Sequence, residues 1–284
     1  MTKRAMTFFA AAAVCATAAF AQNGTDENPT VLVRNGATLN FTAHDLSGYQ
    51  STFAEGGVIR VNAGGTLNFI ENTSGSYHNF NYRQRLVLDP ESLTTFKFRS
   101  GYLFTLHGAG ATPGETATAE TANIYVPPSD GTKGPAVLRR AADGVTGLCI
   151  NHTGSSRGGG CAIYVGENSK LQLDADVQKG EESDSTSNKR ILAKLGPGEL
   201  EITGEVTSSV DFDARAGIIT LPEGQGKFNK SFTATADVTY RFPAGWAEGA
   251  KYTLGSGTVT GTAPDEGTAT VYVGTTKEEG CDLV

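Results

Sequence analysis

The chain is poor in the residues that basic nucleic-acid surfaces and metal sites need. Charged residues make up 19% of its 284 positions, and 30 acidic residues outnumber 23 basic ones, giving a formal charge of −7. Because nucleic acids are bound by an excess of positive charge, a general nucleic-acid-binding surface is excluded. There are only four histidines and four cysteines. With no Cys-x-x-Cys pair among them, we predict no metal site and no cofactor.

Long apolar runs are also lacking, and the longest is at the start. Residues 1–21 combine the basic residues Lys3 and Arg4, an alanine-rich apolar run and the small-x-small sequence Ala19-Phe20-Ala21. This pattern predicts a secretory signal peptide, whose removal leaves 21 basic and 30 acidic residues and a charge of −9. No later segment has 18 consecutive apolar residues, so no integral membrane segment is expected after cleavage.

The few cysteines predict one disulfide. Cys149 and Cys161 enclose a loop that has no core-forming residue after Ile150, and an exported protein lies in an oxidising compartment. A disulfide closing a loop of about 13 residues would stabilise the fold by about 3 kcal/mol. The alternative is that both cysteines are separate thiols in the core. Cys281 is left without a predicted partner.

What the sequence does contain is an internal repeat. The segments Val31–Phe41 and Ile59–Phe69 both end in Thr-Leu-Asn-Phe, which places Leu39 and Leu67 28 positions apart. Leu171 and Leu200 are 29 positions apart in two further segments of the same form. A period between about 20 and 50 residues is typical of a repeat architecture.

Each repeat reads as a short strand, a glycine or asparagine turn and a second short strand. Apolar residues alternate at Val31 and Val33 and at Ile59 and Val61, and no window outside the leader has helical spacing. An all-β, parallel β-solenoid is therefore predicted, because an antiparallel sandwich, the alternative, does not explain a 28-residue match.

The predicted domain limits follow from where the repeat weakens. We assign the solenoid to residues 22–210, with a loop-rich insertion near 127–162 where the repeat spacing lengthens. Residues 211–284 contain longer strand-like runs separated by Gly and Pro turns, and they predict a C-terminal β cap or a small β-sandwich. A cap would cover the open edge of the last coil.

One segment resembles a known family. Leu192-Ala-Lys-Leu-Gly-Pro-Gly-Glu-Leu-Glu-Ile-Thr-Gly is similar to the passenger-associated repeat of bacterial autotransporters. The matching positions are Lys194, Gly196, Gly198, Leu200, Ile202 and Gly204. The resemblance implies a right-handed β-helix, surface display and adhesion. The family's C-terminal membrane barrel has no counterpart before Val284, so a separate secretion partner is expected.

Two sets of residues are candidates for a functional site. An aromatic and basic cluster, together with one distant tryptophan, has the residue types that dominate binding patches: Tyr77, Tyr82, Arg83, Arg85 and Trp246. The alternative is that these aromatics pack under the strands or cap a coil. Acids two positions apart form the second set, Asp174 with Asp176 and Asp211 with Asp213, near Arg215. Solvated strand faces explain these acids more simply than catalysis does.

The sequence favours a binding or structural function over an enzyme. It has no P-loop, His-Glu-x-x-His or EF-hand motif, and none of the acid signatures of polygalacturonases, so no catalytic residue is assigned. We therefore expect an exported structural or adhesive solenoid that presents a surface to glycans, matrix or cells. The alternative is a polysaccharide-active lyase or hydrolase, which would use the paired acids.

Overall fold

The structure is a computed structural model in which every described element is a β-strand. It describes residues 25–42, 58–70, 80–82, 85–97, 104–107, 118–143, 147–151, 159–179, 190–207, 210–221, 228, 232–233, 238–242, 270–273 and 276–278. These residues form 22 strands in three sheets and no helix. In this part of the chain no helix is long and apolar enough to cross a membrane.

The strands are shared among an eight-stranded, a ten-stranded and a four-stranded sheet. In spatial order, the eight-stranded sheet contains β1 (Val31–Val33), β3 (Val58–Val61), β6 (Arg85–Leu88), β9 (Ile124–Val126), β12 (Gly159–Val165), β15 (Arg190–Leu195), β17 (Asp211–Ala214) and β19 (Phe232–Thr233). The ten-stranded sheet contains β2 (Thr38–Thr42), β4 (Thr66–Ile70), β7 (Leu93–Lys97), β10 (Ala136–Arg140), β13 (Lys170–Asp174), β16 (Glu199–Ile202), β18 (Gly217–Thr220), β20 (Val238–Phe242), β21 (Thr270–Val273) and β22 (Thr276–Glu278). The four-stranded sheet contains β14 (Val177–Lys179), β11 (Leu148–Asn151), β8 (Phe104–His107) and β5 (Phe80–Tyr82).

Successive strands of each sheet come from successive repeats, so the chain winds as a parallel β-helix. All neighbouring strands pair in parallel except β21 and β22, which are antiparallel. The predicted stacking is confirmed, because Leu39 pairs with Leu67 and Leu171 pairs with Leu200. The predicted solenoid class is therefore correct.

Two stretches of chain belong to the stack although their sequences do not repeat clearly. The segment near 127–162, predicted as an insertion, supplies β10 and β11, which lie between strands of the preceding and following coils. Past residue 210 the parallel pairing continues through β17, β18 and β20. Longer or shorter connections change the period of these coils without changing which strands pair.

The core lies inside the coils and is built from one side of each strand. Leu67, Leu138, Leu171 and Leu200 are fully buried, and their neighbours along the chain alternate outward as the two-residue period of a strand requires. The turns pack as closely as the strands do. A Cβ atom at Gly198 would lie 2.1 Å from the carbonyl oxygen of Gly166 in the coil below, so only glycine fits there.

Among the residues that the structure describes, one lysine is buried in this core. Lys194 lies in β15, in register with Ile163 and Ala214, and has no exposed surface. Its Nζ donates hydrogen bonds to the carbonyl oxygens of Gly196, at 2.6 Å, and Ala216, at 2.9 Å. Burial lowers the pKa of Lys194 to about 7. Lys194 thus links the turns of two adjacent coils.

The structure differs from the sequence prediction at the cysteines. Cys161 is a free thiol, fully buried in the core, so the predicted disulfide between Cys149 and Cys161 is not present. Cys161 lies on the eight-stranded sheet in register with Leu192, whereas Cys149 lies on the four-stranded sheet between Thr105 and Gln178. The compartment and the loop content indicated a pair, but they carry no information about which sheet each cysteine joins.

Cys161 is therefore expected to be inert in the folded protein. Burial raises the pKa of its thiol, and the thiolate is the form that reacts with alkylating reagents. Without any reductant, iodoacetamide should leave Cys161 unmodified in native protein and modify it in guanidinium, as read by peptide mass mapping. Modification that requires prior reduction would instead demonstrate a disulfide.

Candidate binding surface on the eight-stranded sheet

The outer side of the eight-stranded sheet carries one continuous row of side chains. Parallel pairing places these residues at equivalent positions of adjacent strands, and we call them the outer row: Leu32, Arg60, Val87, Tyr125, Tyr164 and Leu195. The residues on either side of these members are buried, as Ile59 and Val61 are around Arg60, except that Val31 beside Leu32 is only partly buried. The outer row therefore points away from the interior and runs along the solenoid axis.

The N-terminal segment is bonded to the sheet close to Arg60 in this row. Arg85 binds the Asp26 carboxylate through Nε at 2.6 Å and Nη2 at 2.7 Å, and Arg60 donates to the Asp26 carbonyl oxygen at 2.8 Å. The amide of Val58 donates to the Thr30 hydroxyl. These bonds hold residues 26–30 against the sheet, and Val87, the next member of the row after Arg60, is fully buried.

Arg85, a predicted binding residue, is committed to this intramolecular contact. Its side chain is only 11% exposed, and its Nη1 also donates to the carbonyl oxygen of Ala122. The guanidinium carbon lies 4.4 Å from the centre of the Tyr125 ring, a cation–π contact. Arg85 therefore orients Tyr125 instead of presenting a free charge to solvent.

Two tyrosines on adjacent strands lie next to each other in the row, between Val87 and Leu195. The ring centres of Tyr125 and Tyr164 are 5.8 Å apart with 50° between the planes, and both residues are only partly buried. Burial raises the pKa of Tyr125. Tyr164 packs so closely on the turn above it that a Cβ at Gly196 would lie 2.8 Å from its Cε1. The contacts on both sides restrict the two rings, giving a preorganised aromatic pair.

An apolar cluster supports this aromatic pair. The cluster is formed by four buried residues that Tyr164 packs against: Ala122, Ala162, Ala193 and Leu195. Small side chains beneath an aromatic ring let it lie close to the sheet. The pair is therefore a rigid feature of the strands and does not depend on a loop.

Next to the row is a shallow cleft of about 200 Å³ where the strands of the second to fourth coils end. It is lined by Arg60, Ala63, Asp89, Pro90, Pro127, Pro128, Ser129, Asp130 and Lys133. Arg60 pairs with Asp89 at 2.9 Å. A hydrogen bond from the Thr132 hydroxyl lowers the pKa of Asp130. The four charged residues of the cleft sum to zero.

The side chains of the other predicted binding residues are not among those that the structure describes. Tyr77, Arg83 and Trp246 lie outside the described residues, and of Tyr82 only the backbone, in β5, is described. β5 belongs to the four-stranded sheet, and Arg85 lies on the eight-stranded sheet. Whether the aromatic cluster binds a ligand stays a prediction.

The sequence interpretation missed Tyr125 and Tyr164, although a signal was present. Each tyrosine is the centre of an Ile-Tyr-Val tripeptide, one in β9 and one in β12, and the two tripeptides pair in exact register. A repeated tripeptide whose flanking residues are apolar and β-branched predicts a strand with its aromatic residue facing outward. The 39-residue separation concealed the match, because the other repeats are 28 or 29 residues apart.

The paired acids are divided between two sheets and have structural partners. Asp174, at the end of β13, accepts a hydrogen bond from the Thr203 hydroxyl at 2.7 Å, and Asp176 accepts one from the amide of Glu205 at 2.9 Å. Asp213 lies in β17 and pairs with Arg215 at 2.8 Å. Within the described ranges no group of three or more His, Cys, Asp or Glu could hold a metal ion.

The outer face of the ten-stranded sheet has a different character. Lys170 bridges Glu199 and Glu201, and Arg241 pairs with Glu199 at 3.0 Å. Among the shorter side chains, Asn68 donates to Asn40 at 2.9 Å. These polar groups bind one another along the stack.

Comparisons with known proteins add no family to this description. No family model matches the chain, and neither the curated proteins nor the solved structures include a match. Its class is therefore defined by the fold: a parallel β-helix with a tyrosine surface on one sheet.

Proposed function

We propose that the protein is an exported, adhesive β-solenoid, similar to an autotransporter passenger, that attaches to glycans, matrix or cell surfaces. The observation that carries the proposal is the aromatic pair of Tyr125 and Tyr164, which is partly exposed and lies beside a polar cleft. Partly exposed aromatic rings with polar groups nearby are typical of recognition surfaces. The signal-peptide pattern of residues 1–21 supports export.

The shape of the surface supports attachment more than catalysis. The cleft is small and lies on the outside of a rigid stack, and the described acids have partners in the fold. A single protein molecule binds its ligand weakly through a shallow site of this kind. The overall affinity rises when many protein molecules face one polymer or cell. The enzyme alternative would require turnover by acids such as Asp174 or Asp213.

The proposal is tested by comparing single and clustered copies of the mature chain. Biotinylated protein should bind immobilised polysaccharides or cells weakly as a monomer and about 10²- to 10⁴-fold more tightly on streptavidin, as measured by biolayer interferometry. No new reducing ends or unsaturated products should appear on prolonged incubation. Turnover that is lost in Asp174→Asn or Asp213→Asn, with the fold retained, would contradict an adhesive function and support the enzyme.

A further inference from the structure

We propose that the ligand is an uncharged polysaccharide, which lies along the solenoid axis over Tyr125 and Tyr164 with one sugar residue in the Arg60–Lys133 cleft. This inference rests on the attachment function proposed above, and it assigns the ligand class and the site. It involves residues that the sequence interpretation did not select.

The first argument is the direction of the surface. Tyr125 and Tyr164 are on adjacent strands, about 4.8 Å apart across the sheet, and Arg60 lies two strands before Tyr125 in the same row. The row and the cleft therefore follow the solenoid axis. A linear polymer can contact successive coils in this direction, with a spacing close to the length of one pyranose unit.

The second argument is the chemistry of the contacts. A sugar ring presents C–H groups on its faces and hydroxyl groups at its rim. Tyrosine matches this with an apolar ring and a polar hydroxyl. Arg85 beside Tyr125 and the Gly196 turn beside Tyr164 hold the rings in place, which lowers the entropy lost on binding.

The cleft supplies charged and polar groups, which the two tyrosine rings lack apart from their hydroxyls. Asp130 and Lys133 line it and provide carboxylate and ammonium groups that can hydrogen-bond sugar hydroxyls. The Ser129 hydroxyl also lines the cleft, but it already donates to the carbonyl oxygen of Asn168 at 2.6 Å. At about 200 Å³ it is smaller than the pockets that hold drug-sized ligands. It therefore suits a single sugar residue of a longer chain.

The third argument is charge. The cleft contains two basic and two acidic side chains, which cancel, and the mature chain has a charge of −9. A polyanion such as alginate or heparin would be repelled by the protein as a whole and gain nothing locally. An uncharged polymer is not subject to this repulsion.

The test combines a ligand panel with matched variants. Clustered mature protein is assayed on galactomannan, β-glucan and dextran, and on alginate, polygalacturonate and heparin, at low and high salt. We expect binding to at least one uncharged polymer, little changed by salt. The Tyr125→Ala, Tyr164→Ala double variant should bind that polymer at least about tenfold more weakly, because two ring contacts are lost.

Controls separate the site from the fold. Gln172→Ala alters the outer face of the other sheet and should retain full binding. Tyr125→Phe with Tyr164→Phe keeps both rings but removes their hydroxyl groups, so it should lose less binding than the double alanine variant. Because Tyr125 contacts Arg85, the Tyr164→Ala single variant is included, and every variant is checked by thermal melting.

The outcomes distinguish the inference from the proposed function. If the wild-type protein binds uncharged polymers and a folded Tyr164→Ala or double variant binds equally well, the site is overturned and attachment stands. If only polyanions are bound, in a salt-sensitive way, the ligand class is overturned. If clustered wild-type protein binds neither polymers nor cells, the attachment function itself fails.

Discussion

Replacing Leu171 by Asp is expected to leave the protein unfolded. Leu171 is fully buried in β13, between Ala136 of the previous coil and Leu200 of the next. An unpaired carboxylate at this position costs several kcal/mol. That cost is comparable with a typical total stability of about 5–15 kcal/mol. Far-UV circular dichroism and thermal melting of the purified variant provide the measurement.

The neighbouring residue is the matched control. Gln172 lies on the same strand but faces outward, so Gln172→Asp introduces the same charge in contact with solvent. This variant should keep the β spectrum and a cooperative melt. If Leu171→Asp melted cooperatively near the wild-type temperature, the placement of Leu171 inside the stack would be wrong.

Replacing Lys194 by Met is expected to remove a strong pH dependence of stability. Burial holds the pKa of Lys194 at about 7 in the folded state, against about 10.4 in an unfolded chain. Between these values the unfolded state binds one more proton. The free energy of unfolding therefore rises with pH by up to about 1.4 kcal/mol per unit in this window, and below it the contribution is flat.

The measurement is the difference between wild type and Lys194→Met in urea unfolding at several pH values from 6 to about 9. Taking the difference cancels the contributions of groups that titrate in both proteins. One of these is Cys161, whose raised pKa makes the free energy of unfolding fall as pH rises above about 8.5. The difference should be flat below about pH 7 and then change in favour of the wild type as pH rises. If the unfolding free energies of wild type and Lys194→Met changed in parallel with pH across the whole range, the burial of Lys194 would be contradicted.

A second lysine provides the control for this experiment. Lys170 lies on the outer face of the ten-stranded sheet between Glu199 and Glu201. Partial burial opposes its charge, but the two carboxylates outweigh that effect and raise its pKa. Lys170→Met should therefore leave the pH dependence between about 7 and 9 unchanged, since Lys170 stays protonated in both states there.

The sequence by itself determined the class of fold. A strand with one buried side must alternate apolar and polar residues, and a slip of one position would expose the whole core face. This requirement appears directly in the sequence as the alternation in β3 and the 28-residue match between Leu39 and Leu67. Where successive coils have the same length, the predicted register is confirmed residue by residue. This holds for Leu39 with Leu67 and for Leu171 with Leu200.

The path between the regular repeats was decided by the tertiary structure. Residues 127–162 read as an insertion because their connections are longer, yet β10 and β11 complete a coil there. A connection of any length that returns the chain to the next position in the stack gives the same pairing. Periodicity alone therefore cannot distinguish a long coil from an insertion.

The candidate surface was decided in the same way, by positions that only stacking brings together. Arg85 was predicted as a binding residue from its type, but residue type does not show that Asp26, 59 positions away, occupies its guanidinium. Tyr125 and Tyr164 were passed over, yet parallel pairing sets their rings side by side. Alternation determines which side of a strand a residue faces, whereas its neighbours on that side come from other coils and follow from the register of the whole stack.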